Sequence, residues 1–171
     1  RIGLDHFARP EAPLARALRG GTLRRNFQGY TTDRADALLG FGASAIGALP
    51  QGYVQNVVQT GAYERAVAAD ELPVARGLAL DPDDRLRRDA IEQIMCYGRF
   101  DLGAVAARHW TCPAAFDDVL PTLDALQADG IVEWDGAVLR VREKAAPLLR
   151  SVAAAFDSYL SRAPGRHSRA V

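Results

Sequence analysis

Apolar positions along the chain change their spacing near residue 80. Before that point they come in short runs punctuated by glycine; after it they recur every three or four residues. Arg1–Phe7 has the apolar density of a buried strand that ends at Asp5-His6. Leu14, Ala15 and Leu18 fall at helical spacing within Glu11–Arg19, and Gly20-Gly21 stops that helix. Leu23–Thr32 is expected to be extended. Leu38–Gly47 reads as a strand running into a turn, with Gly40, Gly42 and Gly47 admitting close backbone approach. Tyr53–Asn56 is expected to be extended and Ala62–Ala69 helical.

Asp81-Pro82-Asp83-Asp84 is a strong helix start, with proline suited to the first turn and carboxylates suited to its positive end. Leu86, Ala90, Ile91, Ile94 and Met95 then form one apolar face. Asp101–Arg108 and Pro113–Asp129 are two further helices, the latter interrupted or broken at its start by Pro121 and ended by Gly130. Ile131–Trp134 and Ala137–Val141 flank Asp135-Gly136 and predict a hairpin with a two-residue turn. Arg142–Arg162 carries one apolar stripe and predicts a single long helix, followed by a polar, frayed tail over Pro164–Val171. The resulting fold class is α+β. The expected domains are 1–80, an α/β portion, and 81–171, mainly helical with one β-hairpin in a winged-helix-like order.

Composition narrows the choice of function. The 171 residues balance 21 basic against 21 acidic side chains, so no global charge drives the chain to nucleic acid or to an anionic membrane. No apolar run approaches the length of a membrane span, and no membrane partner is expected. A DNA-reading winged helix is disfavoured by charge. The third helix carries Asp117, Asp118, Asp124 and Asp129 without a lysine or arginine, and the hairpin sets Glu133 and Asp135 against Arg140. Cys96 and Cys112 are too few for a disulfide framework and point to a reducing, cytoplasmic compartment. His109-Trp-Thr-Cys112 offers two possible metal ligands, too few for a zinc site. Asp5-His6 is either an acid/base pair at a strand end or a structural hydrogen-bonded pair. Arg85, Arg87 and Arg88 beside Asp83, Asp84 and Asp89 read as ion pairs on a helix surface.

The stretch Arg25–Thr32, RNFQGYTT, does not alternate as a structural strand would. It sets aromatic, amide and glycine residues behind Arg24 and Arg25, a mixture suited to a flat polar ligand. With IGLDHFARPE, LLGFGASAIG, Tyr53 and the Gln55-Asn56 pair, LALDPDDRLRRDAI and FDSYL, it resembles the C-terminal part of oxygen-independent coproporphyrinogen III oxidase, a radical SAM enzyme of haem biosynthesis. The resemblance runs across nearly the whole chain. The His-Asn…Tyr-Trp motif of the related haem chaperone is absent, which favours the oxidase over that alternative.

The resemblance implies the last strands and helices of an incomplete radical SAM α/β barrel over 1–80, and a helical domain over 81–171. It implies a [4Fe–4S] cluster and S-adenosyl-L-methionine (SAM) as cofactors of the whole enzyme. The implied reaction turns two propionates of coproporphyrinogen III into vinyl groups of protoporphyrinogen IX, with loss of CO2; the electron donor is left open. By motif, Phe27, Gln28 and Ile46 map to the SAM pocket, and Arg24 and Arg25 are candidates for substrate carboxylates. The family's Cys-x-x-x-Cys-x-x-Cys motif is missing, since the only cysteines stand sixteen positions apart. The chain is therefore expected to be a piece of something longer, inactive alone, and prone to self-association through strand edges made for absent neighbours.

Overall fold

The computed structural model describes residues 1–160. The chain divides into two compact units, one of Arg1–Thr32 with the residues from Pro82 onward, the other of Asp33–Asp81. The break in apolar spacing near residue 80 thus coincides with a unit boundary, while the first 32 residues pack with the C-terminal half.

In the first unit, Ile2 to His6 is a tight turn rather than the strand its apolar content suggested. Gly3 has φ +54°, and two backbone hydrogen bonds, Ile2 N to His6 O (2.7 Å) and His6 N to Ile2 O (3.3 Å), close the loop. Helix α1 (Pro13–Arg19) begins with proline in its first turn and stops at Gly20-Gly21, as its glycines foretold. The expected extended segment 23–32 folds back on itself as strands β1 (Arg24–Asn26) and β2 (Gly29–Thr31), leaving Phe27 and Gln28 as the turn.

The second unit holds β3 (Ile46–Leu49), β4 (Gly52–Asn56), helix α2 (Thr60–Ala68) and β5 (Val74–Ala79), with a β3-β4-β5 antiparallel sheet. Residues 38–45 do not form the expected strand. A single bridge links Leu38 to Ala48, after which the glycines allow an irregular loop. Strand β5 escapes sequence reading because Val-Ala-Arg-Gly-Leu-Ala lacks alternation, and all six residues are exposed.

Back in the first unit, α3 (Pro82–Tyr97) leads into β6 (Arg99–Asp101) and α4 (Leu102–Arg108), whose start is capped by Asp101 accepting Ala104 N–H at 2.8 Å. The expected helix 113–129 is split as its proline required. A 3-10 turn at Pro113–Phe116 precedes α5 (Leu120–Ala128), where Pro121 sits in the first turn. Strands β7 (Val132–Trp134) and β8 (Val138–Val141) form the expected hairpin, but Trp134 pairs with Leu139, so four residues connect the paired positions. Asp135 holds this loop by accepting the N–H groups of Ala137 (2.9 Å) and Val138 (2.7 Å). Those bonds, Val138 first, hold its carboxyl below the usual range. Strand β6 pairs with β8, giving the sheet order β6-β8-β7.

The long helix expected over 142–162 is shorter. Pro147 cannot donate into an α-helical ladder, and the segment opens as a 3-10 turn (Glu143–Leu148) before α6 (Leu149–Ala154). The predicted frayed tail lies outside the described residues. Phe100, Phe116 and Phe156 lock the main core, each pair edge-to-face with centroids 5.0–5.9 Å apart. Ile94, Leu123, Leu139 and Val152 fill in around them. A smaller cluster joins Ile2, Ala15, Ala17, Leu23 and Cys96.

Candidate functional site

The β1–β2 hairpin carries four of the five residues singled out from sequence, and its surroundings fix it firmly. Glu92, on α3, takes two of its groups on one carboxylate oxygen: Arg24 Nε at 2.8 Å and the backbone N–H of Arg25 at 3.0 Å. This bond raises the Arg24 guanidinium's affinity for its proton and engages one of its five donors. Asn26 Oδ1 accepts the N–H of Gln28 at 2.9 Å, a local bond that sets the turn. Gly29, at φ +133°, completes it.

Tyr30 ties the returning strand to two other elements. Its hydroxyl accepts from Leu4 N–H at 3.0 Å and donates to the Met95 carbonyl on α3 at 3.0 Å. The Arg25 guanidinium lies 5.7 Å from the Tyr30 ring centroid, within cation–π range. The His6 ring meets the same tyrosine edge-on, with centroids 5.1 Å apart. With its strands held in this way, the turn presents Phe27, 52% exposed, and Gln28 outward. An aromatic face beside an amide that both donates and accepts can stack on a planar group and pair with its polar edge.

Ile46 lies in the other unit, at the start of β3, paired with Gln55 of β4 and half-buried. Its surroundings are organised by Asn56, the buried polar residue of that unit. Asn56 Nδ2 donates to the carbonyls of Gly40 (3.1 Å) and Gly42 (3.0 Å), while the N–H of Gly42 reaches Tyr63 Oη at 3.1 Å. Gly42 has φ +99°, and a Cβ at Gly40 would press on the Ile46 backbone. The glycine-rich loop is therefore pinned beside Ile46 by one amide. Gln55 extends the network, donating to the Ser44 carbonyl at 3.2 Å and accepting from Arg76 at 2.7 Å.

The remaining candidates sit elsewhere. His109 Nε2 lies 3.1 Å from Asp89, which also receives Arg108, so this histidine belongs to an ion-pair network joining α3 to α4. Arg87 pairs with Asp83 one turn away and also with Asp118. Among the described residues no group of three or more His, Cys, Asp or Glu side chains is placed to hold a metal ion. Cys112 is exposed, whereas Cys96 is buried, its thiol pushed up to about 12 by burial and by nearby Glu92. The anchoring roles of Glu92 and Tyr30 carry no local sequence signal, since their partners stand dozens of positions away. The role of Asn56 has one: an amide at the end of a strand opposite a glycine run.

No protein-family model matches the chain. Over all 171 residues it is 55% identical to the oxygen-independent coproporphyrinogen III oxidase of Bradyrhizobium diazoefficiens, covering 38% of that protein. Proteins of the same name from Cereibacter sphaeroides (43% identity over 159 residues) and Escherichia coli (40% over 161 residues) are each covered to 35% of their length. Among solved structures, coproporphyrinogen III oxidase (HemN) from Escherichia coli, described as a radical SAM enzyme, superposes with a TM-score of 0.87 at 40% identity. That match covers 93% of this chain and 37% of the other. The chain thus spans little more than a third of these relatives and matches a C-terminal part of them.

Proposed function

We propose that this chain forms the C-terminal part of an oxygen-independent coproporphyrinogen III oxidase. Such an enzyme converts two propionates of coproporphyrinogen III to vinyl groups through radical SAM chemistry. The observation that carries this reading is similarity over the entire chain, 55% identity along 171 residues, with the RNFQGYTT hairpin inside it. In this reading Phe27 and Gln28 of the β1–β2 turn are SAM contacts, and Ile46 of β3 is separately a SAM contact by its motif. Arg25, and the donors of Arg24 not held by Glu92, are candidates for propionate carboxylates.

The residues at the turn fit a sulfonium nucleoside in their chemistry: an exposed aromatic face and an amide edge that both donates and accepts. SAM supplies the hydrogen-abstracting radical when bound; the side chains named here hold and orient. The iron–sulfur cluster does not fit this chain. Its two cysteines, one buried and one exposed, are too few for a cluster motif, and no group of three or more ligating side chains is gathered among the described residues. Its ligands belong, in this reading, to the portion of the longer protein outside these 171 residues.

The elements from α3 to β8 run helix, strand, helix, helix, strand, strand, with the first strand beside the last. We read this as a winged-helix-like domain serving packing rather than nucleic-acid contact, since Asp117, Asp118, Asp124 and Asp129 surround its third helix. The exposed β5 edge, and the exposed Leu39, Phe41 and Leu72, suit contact with further parts of the longer protein or, in the isolated chain, with a second copy. No helix among the described residues is long and apolar enough to cross a membrane.

The test uses the full-length protein, reconstituted without oxygen. Gln28→Ala and Phe27→Ala are expected to weaken SAM binding about tenfold or more and to slow CO2 release in proportion. Unchanged affinity and turnover in both variants would remove the hairpin turn from the site.

A further inference from the structure

The residues Asp5 and His6 are not used by the reading above, yet they abut the same turn. The loop that carries them is rigidly specified. Gly3 takes φ +54°, the Ile2–His6 bridge closes the loop, Ile2 is buried and Leu4 N–H is held by Tyr30. His6 Nδ1 lies 2.9 Å from Asp5 Oδ1. An ionised carboxylate only accepts, so Nδ1 carries a proton, and in the neutral imidazole Nε2 presents a lone pair. The bond from His6, more than the nearby Arg150, holds the Asp5 carboxyl below its ordinary range and keeps it an acceptor at neutral pH.

The free nitrogen faces the hairpin. A Cβ placed on Gly29 would stand 3.4 Å from His6 Nε2, so the imidazole edge reaches the residue that directly follows Gln28. His6 and Arg25 meet the same Tyr30 ring, at 5.1 Å and 5.7 Å from its centroid. His6 and the Arg25 guanidinium thus share the Tyr30 ring, and His6 Nε2 borders the turn that carries Gln28. A methyl at position 29 would meet the imidazole at ordinary contact distance; it is the φ of +133° there that favours glycine.

We infer that Asp5 and His6 form a hydrogen-bond-accepting dyad for the ligand at the β1–β2 turn, with Asp5 fixing the imidazole and Nε2 accepting an N–H or O–H group of that ligand. The inference rests on the turn being a ligand site. The donor has two possible sources, an amine or ribose hydroxyl of SAM or a pyrrole N–H of the porphyrinogen. His6 is the contacting residue and Asp5 a positioning residue.

The experiment measures dissociation constants for SAM and, separately, for coproporphyrinogen III by anaerobic equilibrium dialysis. It uses full-length protein carrying His6→Ala, His6→Gln, Asp5→Asn or Gln28→Ala, with the thermal midpoint of each. His6→Ala is expected to weaken one of the two ligands about tenfold, and Asp5→Asn to weaken the same ligand about threefold or more. His6→Gln, which restores an acceptor, should recover most of that loss. The ligand affected identifies the donor. Wild-type affinity for both ligands in His6→Ala and Asp5→Asn, while Gln28→Ala weakens SAM, would overturn the dyad and leave the turn standing. Wild-type affinity in Gln28→Ala as well would overturn both. A loss that tracks a lowered thermal midpoint and is not recovered by His6→Gln would reduce the dyad to a packing role and also overturn it.

Discussion

Gly3 lies against the ring of Tyr30 so closely that a Cβ at Gly3 would overlap the phenol. The contact is what brings Leu4 N–H onto the Tyr30 hydroxyl. Gly3→Ala meets both this overlap and an unfavourable positive φ, and is expected to cost about 2 kcal/mol or more. Tyr30→Phe keeps the ring but orphans the Leu4 amide and the Met95 carbonyl, at about 1–2 kcal/mol. Denaturant titration of the two variants should rank them in that order, and equal stabilities would show that the loop relaxes around an added methyl.

Glu92 is expected to govern the hairpin from a distance. Glu92→Ala removes the acceptor of both Arg24 Nε and Arg25 N–H, at about 1 kcal/mol of stability. Its sharper signature should be faster amide hydrogen exchange at Arg25. Exchange unchanged there would mean that Tyr30 alone fixes the hairpin.

Asn56 makes two donations that an acid cannot copy. Asn56→Asp would set a carboxylate against the carbonyls of Gly40 and Gly42, with an expected cost of about 2–3 kcal/mol and loosening of residues 40–44. Exchange measured across that loop checks it; protection equal to the parent chain would show that the Gly42–Tyr63 bond suffices.

The two thiols should separate cleanly. At pH 8 a maleimide is expected to label Cys112 rapidly and Cys96 only after unfolding, because burial pushes the Cys96 thiol up to about 12. The sign for stability follows from an acid whose folded pKa is raised. The unfolded thiol ionises first, near its ordinary value of 9.0, so stability is retained below that pH and declines as pH rises from there toward about 12. Cys96→Ala should flatten that alkaline decline.

What the sequence made legible followed from local rules. The proline at Pro82, the glycine stop after α1 and the Pro121 break all act within one turn of themselves. The failures were of two kinds. Arg1–Phe7 and Leu38–Gly47 have strand-like apolar content, but their glycines take φ values that turn the chain, a choice made by Tyr30 and Asn56 from elsewhere in the fold. The Asp135-Gly136 turn was located correctly and its length was not, because β6 pairs with β8 and sets that strand's start. Of the candidate residues, Phe27 and Gln28 were already marked by composition. That they occupy a turn became visible only once Arg24–Asn26 was seen to pair with Gly29–Thr31.

Between Asp33 and Asp81 only Gly47, Gly52, Asn56 and Leu80 are buried, so this stretch holds its shape almost wholly through backbone pairing and amide contacts. Regions with few apolar contacts open at low free energy. A protease added sparingly to the purified 171-residue polypeptide should therefore nick it there first, at exposed basic positions such as Arg65 or Arg76, well before the phenylalanine-locked remainder gives way.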